Sequence, residues 1–181
     1  MSIEFNIKKS TTISDITIIK PSSFGEARGE IWTSYNNDLD KLLDDKSLYF
    51  NHDKFSISNA RVLRGIHGDK KSWKLVSCVH GSIMQVVVDM RPNSKTYLKW
   101  ESFHLDKNNR LMILIPPGFG NAFYVKSDSA VYHYKLAYKG KYIDAEDQFT
   151  LAWDDNRLNI PWPDLEPILS NRDKEACDGN H

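Results

Sequence analysis

Short apolar runs alternate with polar breaks along the chain, and most runs are rich in β-branched and aromatic residues. Runs of that kind, bounded by Gly, Pro, Asn and Asp, predict strands. Strands are expected over residues 13–20, 29–35, 54–57, 62–67, 73–80, 82–90, 97–105, 111–115, 121–126 and 130–138. Many short strands with regular turn signals predict an all-β sandwich or barrel. The clearest hairpin signal is WKLVSCVHGSIMQVVVDM, where His80-Gly81 separates two apolar runs and Gly81 can supply a positive φ. Helices are few. Asn37 is a candidate cap for one, with Leu39, Leu42 and Leu43 on a shared face. A second, short helix is expected after Ser170, with Arg172, Asp173 and Glu175 in its early turns. No repeat or linker divides the chain, so residues 1–181 are expected to form one domain, with a tail frayed from about residue 175.

Composition narrows the partners. The 181 residues carry 24 basic and 24 acidic side chains, a formal net charge of zero. No global basic field exists to attract nucleic acid. No apolar run approaches the length of a membrane span. The first residues, MSIEFNIKKSTT, lack the pattern of a secretory signal. A cytoplasmic location is therefore expected, with no membrane partner. Cys78 and Cys177 form neither a disulfide framework nor a zinc spacing.

Four segments carry candidate chemistry. In LRGIHGDKKSWKLV, strand alternation predicts Leu63, Gly65 and His67 on one face, with Val62, Arg64 and Ile66 on the other. His67 and Lys74, on successive strands, can then meet inside a barrel, although an isolated His and Lys in this setting are more often solvated. In LIPPGFGNAF, residues 116–121 match a turn of cupin barrels, Pro-x-Gly-x-x-His, with Asn121 in place of the metal-binding His. The first cupin motif, two His one residue apart followed by Glu, is reduced to His67. Two ligand positions are missing, so no metal is expected. In AVYHYKLAY, Tyr132 and Tyr134 share a face. Tyr132 reads as core, whereas Tyr134 is a competent acid in a polar cavity. In WPDLEPILSNRD, Asp173 by itself is a helix N-terminal residue within a surface wrap.

Together these segments resemble the dTDP-4-dehydrorhamnose 3,5-epimerase family. The resemblance runs from Phe24 to Asp173 through FGEARGEIW, SISNARVLRGIH, KLV, VVVDMRPNS, IPPGF, VYHYK, WDDNRLNIPWP and ILSNRD. More narrowly, RGIHGD, PPGFGN, YKLAYKGKY and DAEDQFTLAW resemble the branch acting on GDP-linked 4-keto heptoses in bacterial capsule synthesis. The resemblance implies a cupin (jelly-roll) barrel with a few short peripheral helices, a homodimer, and no metal or redox cofactor. It implies His67 as base, Asp173 as its orienting carboxylate, Lys74 near the substrate oxyanion and Tyr134 as the acid on the opposite face. Arg64 and Arg28 are implied near the diphosphate, with Arg28 able to reach across a dimer.

The departures fall at recognition positions. His52 and Lys54 stand where the family has Gln and Asn, Asn121 where it has His, and Thr33 where it has Glu. Gly68 and Asp69 follow the base in place of Tyr-Gln. Retained catalytic residues beside altered recognition residues predict the same chemistry on a different nucleotide sugar. A C3-only epimerase and a 3,4-ketoisomerase share the expected fold. A non-catalytic nucleotide-sugar-binding cupin would not require His67, Tyr134 and Asp173 together, and a metal-dependent dioxygenase lacks its ligands.

Overall fold

The computed structural model describes residues 3–43 and 48–178. In chain order its elements are β1 (Phe5–Lys9), β2 (Thr17–Pro21), β3 (Ser23–Glu26), β4 (Gly29–Trp32), α1 (Asn37–Leu42) and β5 (Phe50–Asn59). There follow β6 (Leu63–Gly68), β7 (Trp73–His80), β8 (Ser82–Asp89), β9 (Trp100–Asp106) and β10 (Met112–Ile115). The chain continues with β11 (Phe119–Val125), β12 (Ser129–Ala137), a 3-10 turn at Ala145–Asp147, β13 (Phe149–Thr150) and α2 (Asn171–Asp178). A six-stranded sheet in the order β1-β2-β10-β7-β12-β5 faces a five-stranded sheet in the order β13-β6-β11-β8-β9. This is the all-β cupin-type jelly roll, with only short peripheral helices.

The central strands β7, β8, β10 and β11 are covered on both faces, which explains their near-continuous apolar runs. Val76, Ile83, Val87, Ile113, Phe119, Phe123 and Tyr132 meet between the sheets. Ile19, Leu39, Leu75, Met112 and Leu114 form a second core with α1 and β1 packed nearby. Leu63, Ile66, Val86 and Val88 form a third with Leu151, Leu158 and Trp162 of the C-terminal segment. That segment is also tied down by Trp100 Nε1 donating to Leu158 O (2.7 Å) and Trp162 Nε1 donating to Trp153 O (2.8 Å).

Several expectations are corrected. β7 and β8 do not form a hairpin: β7 pairs with β10 and β12, β8 with β11 and β9. Gly81 is the corner where the chain leaves one sheet for the other. Two consecutive apolar runs joined by Gly fit either geometry, and pairing partners far along the chain decide between them. Helix α1 is capped by Asn36, whose side chain accepts from the N–H groups of Asp38 and Leu39, and not by Asn37. Leu39 is buried but Leu42 is exposed, because a helix of six residues buries only one turn. β1, β3 and β13 were not expected. Their sequences, FNIKK, SFGE and FT, are polar or very short edge pieces that carry little apolar signal. Residues 175–178 belong to α2, while the rest of the expected tail, 179–181, lies outside the described residues.

The correction that matters most for function lies in β6. Between His67↔Asn121 and Arg64↔Phe123, β6 advances three residues while β11 advances two. This is a β-bulge, and a bulge re-aims the side chains beyond it. Leu63 and Ile66 therefore share the outer core, and Arg64 and His67 both face the cavity, where strict alternation placed them on opposite faces. Gly65 sits within the bulge at φ 129, and a Cβ there would overlap Ala122.

Asp89, at the end of β8, organises the loop after it. Its buried carboxylate accepts from Arg91 N (3.0 Å), Arg91 Nε (2.9 Å), Ser94 Oγ (2.6 Å) and Thr96 Oγ1 (2.6 Å). Burial alone would push its pKa up, but these donors outweigh burial and hold it well below the usual carboxylate range. The stabilisation is thus present above the unfolded pKa of about 3.9 and is lost as pH falls through the folded value. Asp89→Asn is expected to cost about 3 kcal/mol at pH 7. In urea titrations the gap from wild type should narrow below about pH 4, and a gap independent of pH would contradict this account. Gly81, at φ 76, would bring a Cβ against Ser129 O and within 2.5 Å of Ser127 Oγ. Gly81→Ala is expected to destabilise by about 1–3 kcal/mol, read from the shift in urea midpoint.

Candidate active site

A cavity of about 310 Å³ opens between the sheets. Its lining includes Lys54 and Ser56 from β5, Arg64 and His67 from β6, Lys74 from β7, Asn121 from β11 and Tyr134 from β12. Ser170, Arg172 and Asp173, from the start of α2 and the residue before it, close one side.

The His67 imidazole is part-exposed, with its Nε2 2.5 Å from Asp173 Oδ1. Asp173 is held twice more. Its Oδ2 accepts from Ser170 Oγ (2.8 Å), and its backbone N–H donates to the same oxygen (3.2 Å). Ser170 precedes α2 and Asp173 is its third residue, so the pair has the S-x-x-D spacing of a helix N-terminal capping box. The positive end of the helix also favours the carboxylate there. One short motif therefore starts the helix and delivers a fixed acceptor to the imidazole. Among the described residues, no group of three or more His, Cys, Asp or Glu is placed to hold a metal ion.

Tyr134, partly buried, and Lys74, buried, stand on the neighbouring strands β12 and β7 and line the same wall. Burial pushes the Tyr134 hydroxyl up to about 12, against the opposing influence of Ser56 and Arg64, so at neutral pH it holds its proton and can donate it. Burial pushes the Lys74 ammonium below the usual lysine range, and Asp69, with Oδ2 3.6 Å from Nζ, pulls in the other direction. Tyr132 lies edge-on to Tyr134, with ring centroids 4.5 Å apart, and belongs to the core as expected. Its hydroxyl is 2.5 Å from Gln85 Oε1 and 3.2 Å from Asn121 Oδ1. Gln85 Nε2 also donates to Asn121 Oδ1 (2.6 Å). Asn121 thus lines the cavity with its oxygen engaged by Gln85 and Tyr132 in the core.

The remaining expected residues divide. Arg64 reaches the cavity and is steadied by Nε donating to Ser58 Oγ (3.0 Å). Lys54 lines it beside Tyr142 (Nζ to OH 3.4 Å). His52 is one layer back: its Nδ1 is 3.2 Å from Tyr138 OH, and its ring packs edge-on to Tyr142 at 4.9 Å. Arg28 lies outside this chain's own cavity, on the β3–β4 hairpin, exposed and paired with Glu26. Sequence reasoning did not assign Asp69, Ser72, Tyr142, Asp144, Gln148 or Arg172 to the cavity. For Arg172 the signal was adjacency to Asp173. Tyr142, Asp144 and Gln148 sit in irregular chain after β12, where periodicity is silent.

The lining carries Lys54, Arg64, Lys74 and Arg172 against Asp69, Asp144 and Asp173. Four basic against three acidic side chains leave the balance cationic. The arrangement holds an imidazole backed by a carboxylate, a protonated phenol and an ammonium around one volume. Those groups suit proton transfer at a carbon whose carbanion becomes an oxyanion.

Comparison with known proteins bears on this geometry. The signature of the dTDP-4-dehydrorhamnose 3,5-epimerase family matches residues 10–179. A dTDP-4-dehydrorhamnose 3,5-epimerase of Escherichia coli K12 is 36% identical over 168 residues, 91% of this chain and 89% of the relative. The crystal structure of the Legionella pneumophila dTDP-6-deoxy-D-glucose-3,5-epimerase, in complex with dTDP-4-keto-L-rhamnose, superposes with a TM-score of 0.88 at 33% identity, covering 96% of this chain and 92% of that one. NovW of Streptomyces spheroides, a 4-keto-6-deoxy sugar epimerase, gives 0.87 at 31% identity, covering 96% and 86%. The chain belongs to the dTDP-4-dehydrorhamnose 3,5-epimerase family and is an isomerase of that class.

Proposed function

We propose that this chain inverts C3, C5 or both of a nucleotide-linked 4-keto sugar, and that the sugar is a GDP-linked 4-keto heptose destined for capsular or other surface polysaccharide. The observation that carries the chemistry is the His67–Asp173 hydrogen bond in a cavity that also holds Tyr134 and Lys74. A C4 ketone acidifies the neighbouring C–H bonds, because the carbanion is delocalised as an enolate. His67 removes the proton, and Asp173 stabilises the imidazolium that forms. Lys74 faces the enolate oxygen, with the amide of Asn121 beside it. Tyr134, protonated at neutral pH, returns a proton to the other face and completes inversion. Arg64, Lys54 and Arg172 supply positive charge for a diphosphate. Arg28, exposed on its hairpin, is assigned to the site of a second copy in a homodimer.

The nucleotide and sugar rest on narrower support. The Escherichia coli and Legionella pneumophila relatives are named for dTDP-linked sugars. This chain resembles the GDP-heptose branch in RGIHGD, PPGFGN, YKLAYKGKY and DAEDQFTLAW. Of the positions that depart from the family pattern, Lys54, Asp69 and Asn121 line the cavity and His52 supports Tyr142.

In D₂O the wild type is expected to wash deuterium into a nucleotide 4-keto sugar, and His67→Asn to slow this by about 10²–10⁴-fold. Tyr134→Phe should still exchange but release little inverted product. Exchange at the wild-type rate in His67→Asn would remove His67 as base. With GDP-linked 4-keto heptose, kcat/KM should exceed that for dTDP-linked 4-keto-6-deoxyglucose by at least about tenfold. Mass and NMR counting of one or two deuterons separates a C3-only reaction from inversion at both centres, and a carbonyl moved from C4 would identify ketoisomerisation. Preference for the dTDP sugar would overturn the nucleotide assignment and leave the proton chemistry intact.

A further inference from the structure

Asp69 carries a charge that the mechanism above does not use. It stands just after β6 and lines the cavity while only 5% exposed. Its two oxygens have different surroundings. Oδ1 accepts from the backbone N–H groups of Lys71 (2.8 Å) and Ser72 (2.6 Å), which shapes the turn into β7. Oδ2 is buried without a hydrogen-bond partner and lies 3.6 Å from Lys74 Nζ. Lys74 is itself only 6% exposed. A buried carboxylate oxygen with no donor is costly, and so is a buried ammonium, so each is tolerable here chiefly because the other faces it.

The other surroundings of Lys74 do little to replace that charge. Its register neighbours, Ile115 on β10 and Leu136 on β12, are apolar. From α2 come Arg172, which disfavours the ammonium, and Asp173, which is bonded to His67 and Ser170. His67 and Arg64 on β6, Tyr134 on β12, Lys54 on β5 and Asp144 share the cavity wall. Burial drives the Lys74 pKa down, Asp69 opposes that drop, and Arg172 adds to it.

We propose that Asp69 is the positioning residue for Lys74: Oδ2 is the counter-ion that fixes the ammonium at the cavity wall, while Oδ1 separately caps the turn. The pairing stands on the geometry of Asp69 and Lys74, and only the use of the charge, to stabilise an enolate, rests on the proposed function. Asp69→Asn separates the two tasks, since an amide oxygen still accepts from Lys71 and Ser72 but the charge is gone.

The test is a pH titration of the Lys74 side-chain nitrogen by NMR in ¹⁵N-lysine-labelled full-length protein, assigned with Lys74→Arg. The alkaline limb of deuterium exchange is measured alongside. Asp69→Asn is expected to fold with an unchanged turn, to release the Lys74 proton about one pH unit lower, a tenfold change in proton affinity, and to shift the alkaline limb the same way. Asp69→Glu should recover part of both. An unmoved Lys74 titration in folded Asp69→Asn overturns the inference, whatever happens to activity. A wild type that exchanges no 4-keto sugar, with the Lys74 titration still lowered in the variant, overturns the proposed function and leaves the pairing standing.

Discussion

The hydrogen bond between His67 and Asp173 joins a strand of the barrel to the final helix, and the working geometry of the cavity hangs on it. The imidazole lies on β6 and the carboxylate 106 residues later on α2. Each end is prepared locally before the two meet. On β6 a bulge at Gly65 turns His67 inward with Arg64. On α2 Ser170 caps the helix and pins Asp173 by its carboxylate and its N–H together. The C-terminal segment between them packs Leu151, Leu158 and Trp162 on the outer face of the five-stranded sheet. Burial of that segment carries the carboxylate to the imidazole, so folding energy and the geometry of the cavity are coupled.

Around this pair the cavity separates its titratable groups by environment. Burial raises the pKa of the Tyr134 hydroxyl, so the phenol stays neutral far above neutral pH. The same burial works against the charge on Lys74, and Asp69 resists it. A tyrosine needs only a dry wall, whereas a lysine in the same wall needs a carboxylate. Asn121 shows a third arrangement. Its oxygen is taken up by Gln85 and Tyr132 in the core, so a neutral side chain in the cavity wall is held by the hydrogen bonds behind it.

The sequence by itself determined the all-β class, most strands, the short helix after Ser170, and the identities of His67, Lys74, Tyr134 and Asp173 as candidates. Strand periodicity and capping chemistry are local, and ordered motifs preserve residue identity whatever the packing. The tertiary structure alone decided which residues meet. It split the 73–90 segment between two sheets at Gly81, because strand pairing is a long-range choice that a turn signal does not encode. It moved Arg64 onto the face of His67, because a bulge is invisible to period-two alternation. It also brought Asp69, Tyr142 and Arg172 into the cavity wall from irregular chain and a helix end, where no period marks the inward side.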